Sequence, residues 1–259
     1  MSRHAYDSQF YDYLGPGAER SAAIIVGHLL AVVKPESVLD VGCGQGVWCA
    51  EWKKAGVEQV VGVDGTHVDA GALKIPVEDF VAHDLSQAFD LGRTFDLVMS
   101  LEVAEHLPAS SADDFVDSLT RHGRLVMFSA AVPGQGGESH VNEQSYGYWR
   151  SKFACRGYRC FDYIRPRVRE DRQVEPWYRY NTLLFAAEGT TAQLPAEIRK
   201  TLVAEGDSIA IVAPLAWRLR NALLRPLPVT MIDRLSRLKH GAFRTLRQRR
   251  ANPSDTKSR

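Results

Sequence analysis

The fold of this chain is decided by the stretch VLDVGCGQG at residues 38–46. Four residues of strand character run into three glycines spaced two apart, and residues 47–55 then form a predicted helix. Glycine is required at such a turn because a Cβ would block the close approach of a ligand and disfavour positive φ. A strand, a glycine turn and a helix make a corner typical of nucleotide- or phosphate-binding sites.

Predicted strands and helices alternate on both sides of this corner. A helix with an apolar stripe covers residues 19–33, and the aromatic segment 1–17 before it is expected to pack on the outside of the core or to cover a pocket. Further strands are predicted at 59–63, 80–82, 95–100, 124–130, 158–165 and 182–187, with helices at 111–122, 144–156 and 195–206. This alternation predicts an α/β fold with a doubly wound, mostly parallel sheet.

Four acidic residues stand where consecutive strands end, and these are Asp40, Asp64, Asp84 and Glu102. Ligands of doubly wound sheets lie beyond the carboxyl ends of the strands, at the switch point beside the first strand. Asp64 comes 18 residues after Gly46 and ends the second strand, a position suited to binding ribose hydroxyls.

Composition limits the class of protein. A chain of 259 residues can form one large domain, with or without an appendage. Its four cysteines have no paired C-x-x-C spacing, which argues against a structural zinc site and a disulfide scaffold. We find neither an apolar signal segment nor a run of about 18 apolar residues, so we expect a cytoplasmic protein.

The glycine spacing distinguishes between cofactors. A dinucleotide loop reads G-x-G-x-x-G, whereas this corner reads G-x-G-x-G with Asp40 just before it. A pyrophosphate needs backbone N–H groups, but a zwitterionic amino-acid tail also needs an acceptor for its ammonium group. Asp40 is placed to reach that group through a water molecule or the backbone, which favours S-adenosyl-L-methionine over NAD.

Over about residues 20–188 the chain resembles the class I S-adenosylmethionine-dependent methyltransferases. Residues 38–46 resemble the first signature of that family, VGVD at 61–64 the second, and FDLV at 95–98 with the following Ser100, Leu101 and Glu102 the fourth. The resemblance implies a Rossmann-like sheet of seven strands, the last antiparallel, with helices on both faces.

The resemblance also implies cofactor-binding residues. Three glycines would line the methionine moiety, Asp64 would bind the ribose, and Asp84 with Leu85 would face the adenine. The full set of cofactor candidates is Asp40, Gly42, Cys43, Gly44, Gly46, Asp64, Gly65, Asp84, Leu85, Leu101 and Glu102. The alternatives are that each glycine only forms a tight turn, that Asp84 caps a turn and that Glu102 is a helix-start acid.

Methyl transfer from a sulfonium to a hydroxyl requires an aligned nucleophile and a base that removes its proton. Histidine suits the second task because its pKa lies near neutrality. His140 is our candidate general base, and His106 is a second catalytic candidate for which a structural role is favoured. Alternatively, His140 and Asn142 fix their loop through backbone hydrogen bonds. We predict no metal site, while Glu138 and Glu143 beside His140 stay open as ligands.

Residues 137–144, GESHVNEQ, resemble a loop shared by small bacterial methyltransferases that act on sugars or related small molecules. The aromatic residues 146–149 and the segment WYRYN at 177–181 extend this resemblance. It implies an acceptor site made of His140, Asn142, Trp177, Tyr178, Arg179 and Asn181. Aromatic rings with an arginine suit stacking on a sugar and binding a phosphate or carboxylate. The alternative is a hairpin tip packed on its neighbour.

The end of the chain differs in charge from the rest. Residues 216–259 hold 12 Lys or Arg against 2 Asp or Glu, whereas the remainder holds 20 against 29. We predict a methyltransferase domain at 1–190 with an N-terminal helical cap, a basic helical extension at 191–250 and a disordered tail at 251–259. The extension is read as a solvated appendage or as a peripheral membrane contact through 215–250, and nucleic acid ranks last because base-stacking aromatics are scarce.

We therefore expect a methyltransferase that acts on an oxygen of a small, saccharide-like or secondary-metabolite acceptor, which could be lipid-linked. One alternative keeps the fold but methylates nitrogen or a carboxylate. Another is a non-catalytic S-adenosylmethionine-binding module that docks to a membrane or partner through its basic end. The sequence does not indicate an oligomeric state.

Overall fold

The structure is a computed structural model that describes residues 8–227 and Met231. Its seven strands are β1 Ser37–Val41, β2 Gln59–Asp64, β3 Phe80–Ala82, β4 Leu97–Leu101, β5 Leu125–Ser129, β6 Tyr158–Phe161 and β7 Leu183–Ala187. Its α-helices are α1 Ser8–Leu30, α2 Val47–Lys54, α3 Ala112–His122, α4 Tyr146–Ala154, α5 Arg165–Val168, α6 Pro176–Asn181, α7 Ala196–Arg199 and α8 Leu215–Leu224. Of the basic helical extension predicted at 191–250, residues 228–230 and 232–250 fall outside the described residues, as does the tail predicted at 251–259.

All seven strands form one sheet in the order β3-β2-β1-β4-β5-β7-β6. The first five strands in this order are parallel, and β7 runs antiparallel to both of its neighbours. Leu39 at the centre of β1 pairs with Val61 on one side and Val98 on the other. The predicted fold class is confirmed, including the antiparallel last strand.

The sheet is buried on both faces, which explains why its central strands are continuous apolar runs. Every residue of β4 and β5 is buried. On one face, Trp52 of α2 is fully buried and donates its indole N–H to the Met99 sulfur at 3.2 Å. On the other face, Phe153 of α4 stacks on Phe185 with ring centroids 4.0 Å apart. These two layers fix the carboxyl edge of the parallel strands, where the predicted ligand residues lie.

The N-terminal helix is longer than predicted. It begins at Ser8 and continues through the Gly15-Pro16-Gly17 stretch, which the sequence analysis left in a separate aromatic segment. Close packing accounts for a glycine there, because a Cβ at Gly17 would overlap the Glu175 side chain. The Ser21 hydroxyl, which donates to the Gly17 carbonyl, also accepts the Glu175 N–H at 2.9 Å. Tertiary contact therefore outweighs the local helix-breaking signal.

Three other predicted elements differ in the structure. Residues 177–181 form helix α6 rather than a loop, since Pro176 at the first helical position favours helical φ. Strand β6 ends at Phe161 because the next residues turn to bury Arg165, which forms a two-bond ion pair with Asp162 at 2.7 and 2.8 Å. The helix predicted at 195–206 is only the short α7, because Leu202 pairs with Phe161 as an isolated bridge.

Candidate active site

The glycine corner between β1 and α2 depends on left-handed backbone. Gly42, Gly44 and Gly46 have φ values of 86°, 54° and 79°. The Gly42 N–H donates to the Val63 carbonyl at 2.7 Å, which ties the corner to β2. A Cβ at Gly42 would overlap the Val103 side chain, so this position has room only for glycine.

Asp64 holds the same corner with its side chain. Its carboxylate accepts the backbone N–H of Gly44 and that of Gly65, each at 2.6 Å. Burial raises the pKa of Asp64, and these two hydrogen bonds oppose that rise. The residue predicted to bind ribose thus lies beside the corner, at the end of β2 as expected.

Asp40 is the most unusual acid of the corner. It is 2% exposed, and its carboxylate accepts a hydrogen bond from the Cys49 thiol at 3.5 Å. Burial raises the pKa of Asp40 to about 7, an effect that outweighs the thiol hydrogen bond. A group that titrates near neutrality at the base of a ligand site can accept from a cationic ligand group in its ionised form.

A cavity of about 120 Å³ opens at the corner. The predicted cofactor residues that line it are Asp40, Gly42, Cys43, Gly44 and Leu101. The remaining residues of the lining were not predicted to bind the cofactor. They are Gln45, Val47, Trp48 and Tyr178, together with Gly15 and Ala18 of α1. The predicted residues Gly46, Asp64, Gly65, Asp84, Leu85 and Glu102 lie outside the lining. The volume of this cavity is smaller than the roughly 300–1,000 Å³ of typical ligand pockets. Helix α1 contributes Gly15 and Ala18 to its lining.

Asp84 follows β3 and is exposed, while its neighbour Leu85 is buried. The Asp84 carboxylate accepts the Ser86 hydroxyl at 2.8 Å and the Ser86 N–H at 3.0 Å, and these bonds lower the pKa of Asp84. The geometry therefore shows a turn cap, which is the alternative that the sequence analysis kept open for this residue.

Glu102 is the centre of a polar network after β4. Its backbone is left-handed, with a φ of 58°, which is uncommon for a residue other than glycine. Its carboxylate accepts the Gln135 amide at 2.7 Å and the Asn181 amide at 3.2 Å. The Asn181 amide also donates to the side-chain oxygen Oε1 of Gln135 at 2.8 Å. The network joins β4, the loop after β5 and α6, and the sequence analysis missed the Gln135 part of it.

The loop at 132–143 is organised around Glu143. The Glu143 carboxylate accepts the N–H groups of Gly134 and Gly136, both at 2.7 Å, and lies 2.8 Å from Nδ1 of His140. Burial would raise the pKa of Glu143, but these hydrogen bonds and the His140 ring lower it below the usual value. Both glycines have positive φ, so the loop conformation and the carboxylate support each other.

The two predicted catalytic histidines lie together. The rings of His106 and His140 meet edge to face, with centroids 4.8 Å apart. Burial lowers the pKa of His106 to about 3, and the neighbouring His140 adds to this shift, so His106 is a neutral imidazole at physiological pH. Glu105 between β4 and His106 is fully buried, and burial together with the nearby Glu102 raises its pKa well above the usual value.

The predicted acceptor residues divide into three groups. His140 lines a second cavity, of about 130 Å³, with Gly134, Val141 and Glu143 among its neighbours. Tyr178 lines the cofactor cavity instead, and its ring meets Trp48 edge to face at 5.1 Å. The other four, Asn142, Trp177, Arg179 and Asn181, line neither cavity; Asn142 and Asn181 are buried and hydrogen-bonded within the protein.

Helix α8 packs against the loop at 132–143, although the sequence analysis placed it in a separate extension. Arg220 donates to the Gln135 carbonyl at 2.7 Å, and Trp217 contacts Tyr180 with ring centroids 5.7 Å apart. Arg225 and Leu227, just after the helix, line the same cavity as His140. The start of the basic segment is therefore part of the site.

Comparison with known proteins agrees with this geometry. The model of a family described as a methyltransferase domain matches residues 18–165, more than half of the chain. The chain belongs to this methyltransferase family. Together with the glycine corner and the acid that ends β2, this identifies S-adenosylmethionine as the cofactor of the domain. The corner fits that cofactor, since Gly42 and Gly44 line its cavity and the buried carboxylates of Asp40 and Asp64 can accept hydrogen bonds from cationic and hydroxyl groups.

Among curated proteins, the methyltransferase domain is similar to a protein named tRNA U34 carboxymethyltransferase from Cellvibrio japonicus. The two are 26% identical over 218 residues, which is 68% of this chain and 64% of that protein. The chain thus spans less than two thirds of the relative's length. The name of this relative refers to a tRNA, whereas nucleic acid ranks last among the partners that we expect from the sequence.

Among solved structures, DesVI of Streptomyces venezuelae matches with a TM-score of 0.54 at 15% identity, covering 72% of this chain and 99% of DesVI. The sugar N-methyltransferase KedS8 from Streptoalloteichus matches with a TM-score of 0.51 at 16% identity, covering 69% and 91%. At these identities the likeness shows the shared fold.

Within the described part of the chain, no helix combines the length and apolar character that crossing a bilayer requires. Helix α8 exposes three leucines at a spacing of four, Leu215, Leu219 and Leu223, with exposed fractions of 66%, 55% and 75%. The membrane contact through 215–250 stays a prediction, most of which falls outside the described residues.

Replacement of Gly42 by alanine tests the glycine corner. We expect Gly42→Ala to weaken binding of S-adenosylhomocysteine by about 10-fold or more, because the methyl group overlaps Val103 and the φ of 86° is strained for alanine. Isothermal titration calorimetry measures the affinity. Gly27→Ala is the matched control, since a Cβ there meets open space on α1. Wild-type affinity in Gly42→Ala would show that the corner does not hold the cofactor.

The raised pKa of Asp40 predicts a pH dependence of stability. Its carboxyl binds its proton more tightly in the folded state, with a pKa of about 7, than in the unfolded state near 3.8. The free energy of unfolding therefore falls as pH rises through this window, by up to about 1.4 kcal/mol per pH unit from this group. Asp40→Asn should remove that fall, so its advantage over wild type in urea unfolding should grow from pH 5 to pH 7. Parallel profiles of the two proteins would contradict the assignment.

Proposed function

We propose that the chain transfers the methyl group of S-adenosylmethionine to an oxygen of a small, saccharide-like or secondary-metabolite acceptor. The observation that carries this proposal is the pair of histidines beside a cavity at the carboxyl edge of the sheet. A hydroxyl nucleophile must lose a proton, and His106 and His140 stand where β4 and the loop after β5 end. The sheet edge that holds the cofactor corner at β1 also carries this pair, as in-line transfer between adjacent sites requires.

The surroundings of the His140 cavity support an acceptor of small size. Glu143 and Arg225 give it one acidic and one basic side chain, and Gly134 and Gly137 contribute backbone to its lining. A Cβ at Gly137 would overlap the His140 ring, so the loop approaches this ring as closely as backbone can. A polyhydroxyl compound offers hydrogen-bonding groups that match such a lining.

A tRNA acceptor is the second candidate function. It is favoured by the name of the curated relative from Cellvibrio japonicus, which matches 68% of this chain. The basic composition of residues 216–259 is compatible with phosphate binding. In this reading α8, whose Arg220 contacts the loop at 132–143, would bring the basic segment to the site.

We further propose that residues 1–190 form the methyltransferase domain, that 191–250 form a basic extension and that 251–259 are a tail. The contacts of α8 with the loop support an extension that contributes to acceptor binding rather than a separate appendage.

Transfer of labelled methyl groups distinguishes the acceptors. The full chain is incubated with methyl-labelled S-adenosylmethionine and a cell extract, and the products are separated by size. We expect label in the small-molecule fraction, resistant to alkali because a methyl ether is not hydrolysed. Label that becomes sensitive to ribonuclease would establish tRNA instead, and alkali-labile label would establish a carboxyl methyl ester.

Replacement of His140 tests the histidine pair. His140→Ala should lower the rate of transfer by about 100-fold or more, with the affinity for S-adenosylhomocysteine within a factor of two of wild type. His28→Ala on α1, outside both cavities, is the control and should transfer at the wild-type rate. An unchanged rate in His140→Ala would remove the histidine pair from the reaction.

A further inference from the structure

Three side chains that can bind metal ions meet beside the histidine pair. Glu105 and His106 belong to the first 3₁₀ turn after β4, Ala104–His106, and His140 comes from the loop at 132–143. One ligand atom from each residue can be chosen so that all three lie within 4.8 Å of one another. Hydrogen bonds from the N–H groups of Val141 and Asn142 to the Glu105 carbonyl, at 2.8 and 3.0 Å, hold the loop against the turn.

The Glu105 carboxyl group is buried beside the histidine pair. It is 0% exposed, and neither of its oxygens accepts a hydrogen bond from the described residues. No Lys or Arg among residues 8–227 forms an ion pair with it. A buried carboxyl group without a hydrogen-bonding partner is costly, and in its ionised form it needs a counter-charge such as a metal ion.

Both imidazole rings are oriented in the way that metal ligands are. Nδ1 of His140 lies 2.8 Å from the Glu143 carboxylate, and Nδ1 of His106 lies 3.4 Å from the Ser139 carbonyl. Histidine ligands usually donate one ring N–H to a carboxylate or carbonyl, which fixes the tautomer and leaves the other nitrogen for the metal. In His140 this hydrogen bond leaves Nε2 as the ligand atom.

We propose that Glu105, His106 and His140 bind one divalent first-row transition metal ion. Two imidazoles and one carboxylate are a donor set that suits zinc, iron, manganese or cobalt better than magnesium or calcium. Ligand atoms about 2.1 Å from a tetrahedral ion lie about 3.4 Å apart, so the three groups need to approach one another by up to about 1.4 Å. Glu143 is not a ligand, because two backbone N–H groups and His140 already occupy its oxygens.

Three protein ligands leave a coordination position open, and His140 lines a cavity through which an acceptor oxygen can reach it. This part of the inference rests on the proposed function. A hydroxyl bound to the ion releases its proton to solvent, because the metal lowers its pKa. Its oxygen then bonds to the methyl carbon as the carbon–sulfur bond breaks, and the electron pair stays on sulfur. His140 thereby acts as a ligand rather than as the general base that the sequence suggested.

Cobalt binding tests the site without any acceptor. The full chain is stripped of metal with a chelator and titrated with Co²⁺, followed by calorimetry and by the visible absorption of the coordinated ion. We expect one equivalent to bind, with an absorption band that free Co²⁺ lacks. Glu105→Gln, His106→Gln and His140→Gln should each lower the affinity by about 10-fold or more, and Glu143→Gln, which orients His140, by about 10-fold.

His28→Gln is the matched control and should bind Co²⁺ as wild type does. Thermal unfolding shows whether each variant still folds. Glu105→Gln removes a buried unpaired carboxylate, so it should melt no lower than metal-free wild type. Co²⁺ should raise the melting temperature of wild type by more than it raises that of Glu105→Gln. Absence of Co²⁺ binding to wild type, or wild-type affinity in all three ligand variants, would overturn the metal site.

Separate measurements keep this proposal distinct from the proposed function. A protein that binds S-adenosylhomocysteine and transfers methyl groups at full rate after chelation would overturn the metal role while the proposed function stands. A protein that binds Co²⁺ through Glu105 but methylates no acceptor would confirm the metal site and overturn the proposed function.

Discussion

The hydrogen bonds from the N–H groups of Gly44 and Gly65 to the Asp64 carboxylate are the contacts on which the site depends. They join the glycine corner after β1 to the end of β2, and the Gly42 N–H bond to β2 completes the junction. The last residues of both strands are buried, so the corner rests on the packed core of the sheet. The carboxylate that orders the corner is also the one that we predict to bind the ribose, so the prediction gives one side chain a role in both the fold and the cofactor site.

The acceptor side repeats this arrangement with other residues. There the Glu143 carboxylate receives two glycine N–H groups and orders the loop after β5. Its contact with His140 turns that ring toward His106 and Glu105. Glu102 connects the two sides, since it follows the cavity residue Leu101 and binds the loop and α6 through Gln135 and Asn181. Carboxylates at the ends of β2 and β4 and in the loop after β5 thus fix the geometry of the whole sheet edge.

The sheet could be predicted because parallel strands buried on both faces are continuous apolar runs that end in glycines or acids, as in β1 and β2. Helix α6 could not, because WYRYN has no apolar period, and its helical form is set by Pro176 and by the contact of Tyr178 with Trp48. The burial of Glu105 was equally hidden, since it arises when a loop distant in sequence binds the backbone of its turn. Sequence signals located the cofactor corner, whereas the acceptor side depends on contacts between distant segments.

Our central prediction is that the cofactor lies in the glycine corner with its ribose at Asp64. A crystal structure of the full chain with S-adenosylhomocysteine tests this directly. The account predicts that the ribose hydroxyls lie within hydrogen-bonding distance of the Asp64 carboxylate, with the amino-acid tail among Asp40, Gly42 and Gly44. A ribose bound elsewhere, with Asp64 still hydrogen-bonded only to Gly44 and Gly65, would contradict it.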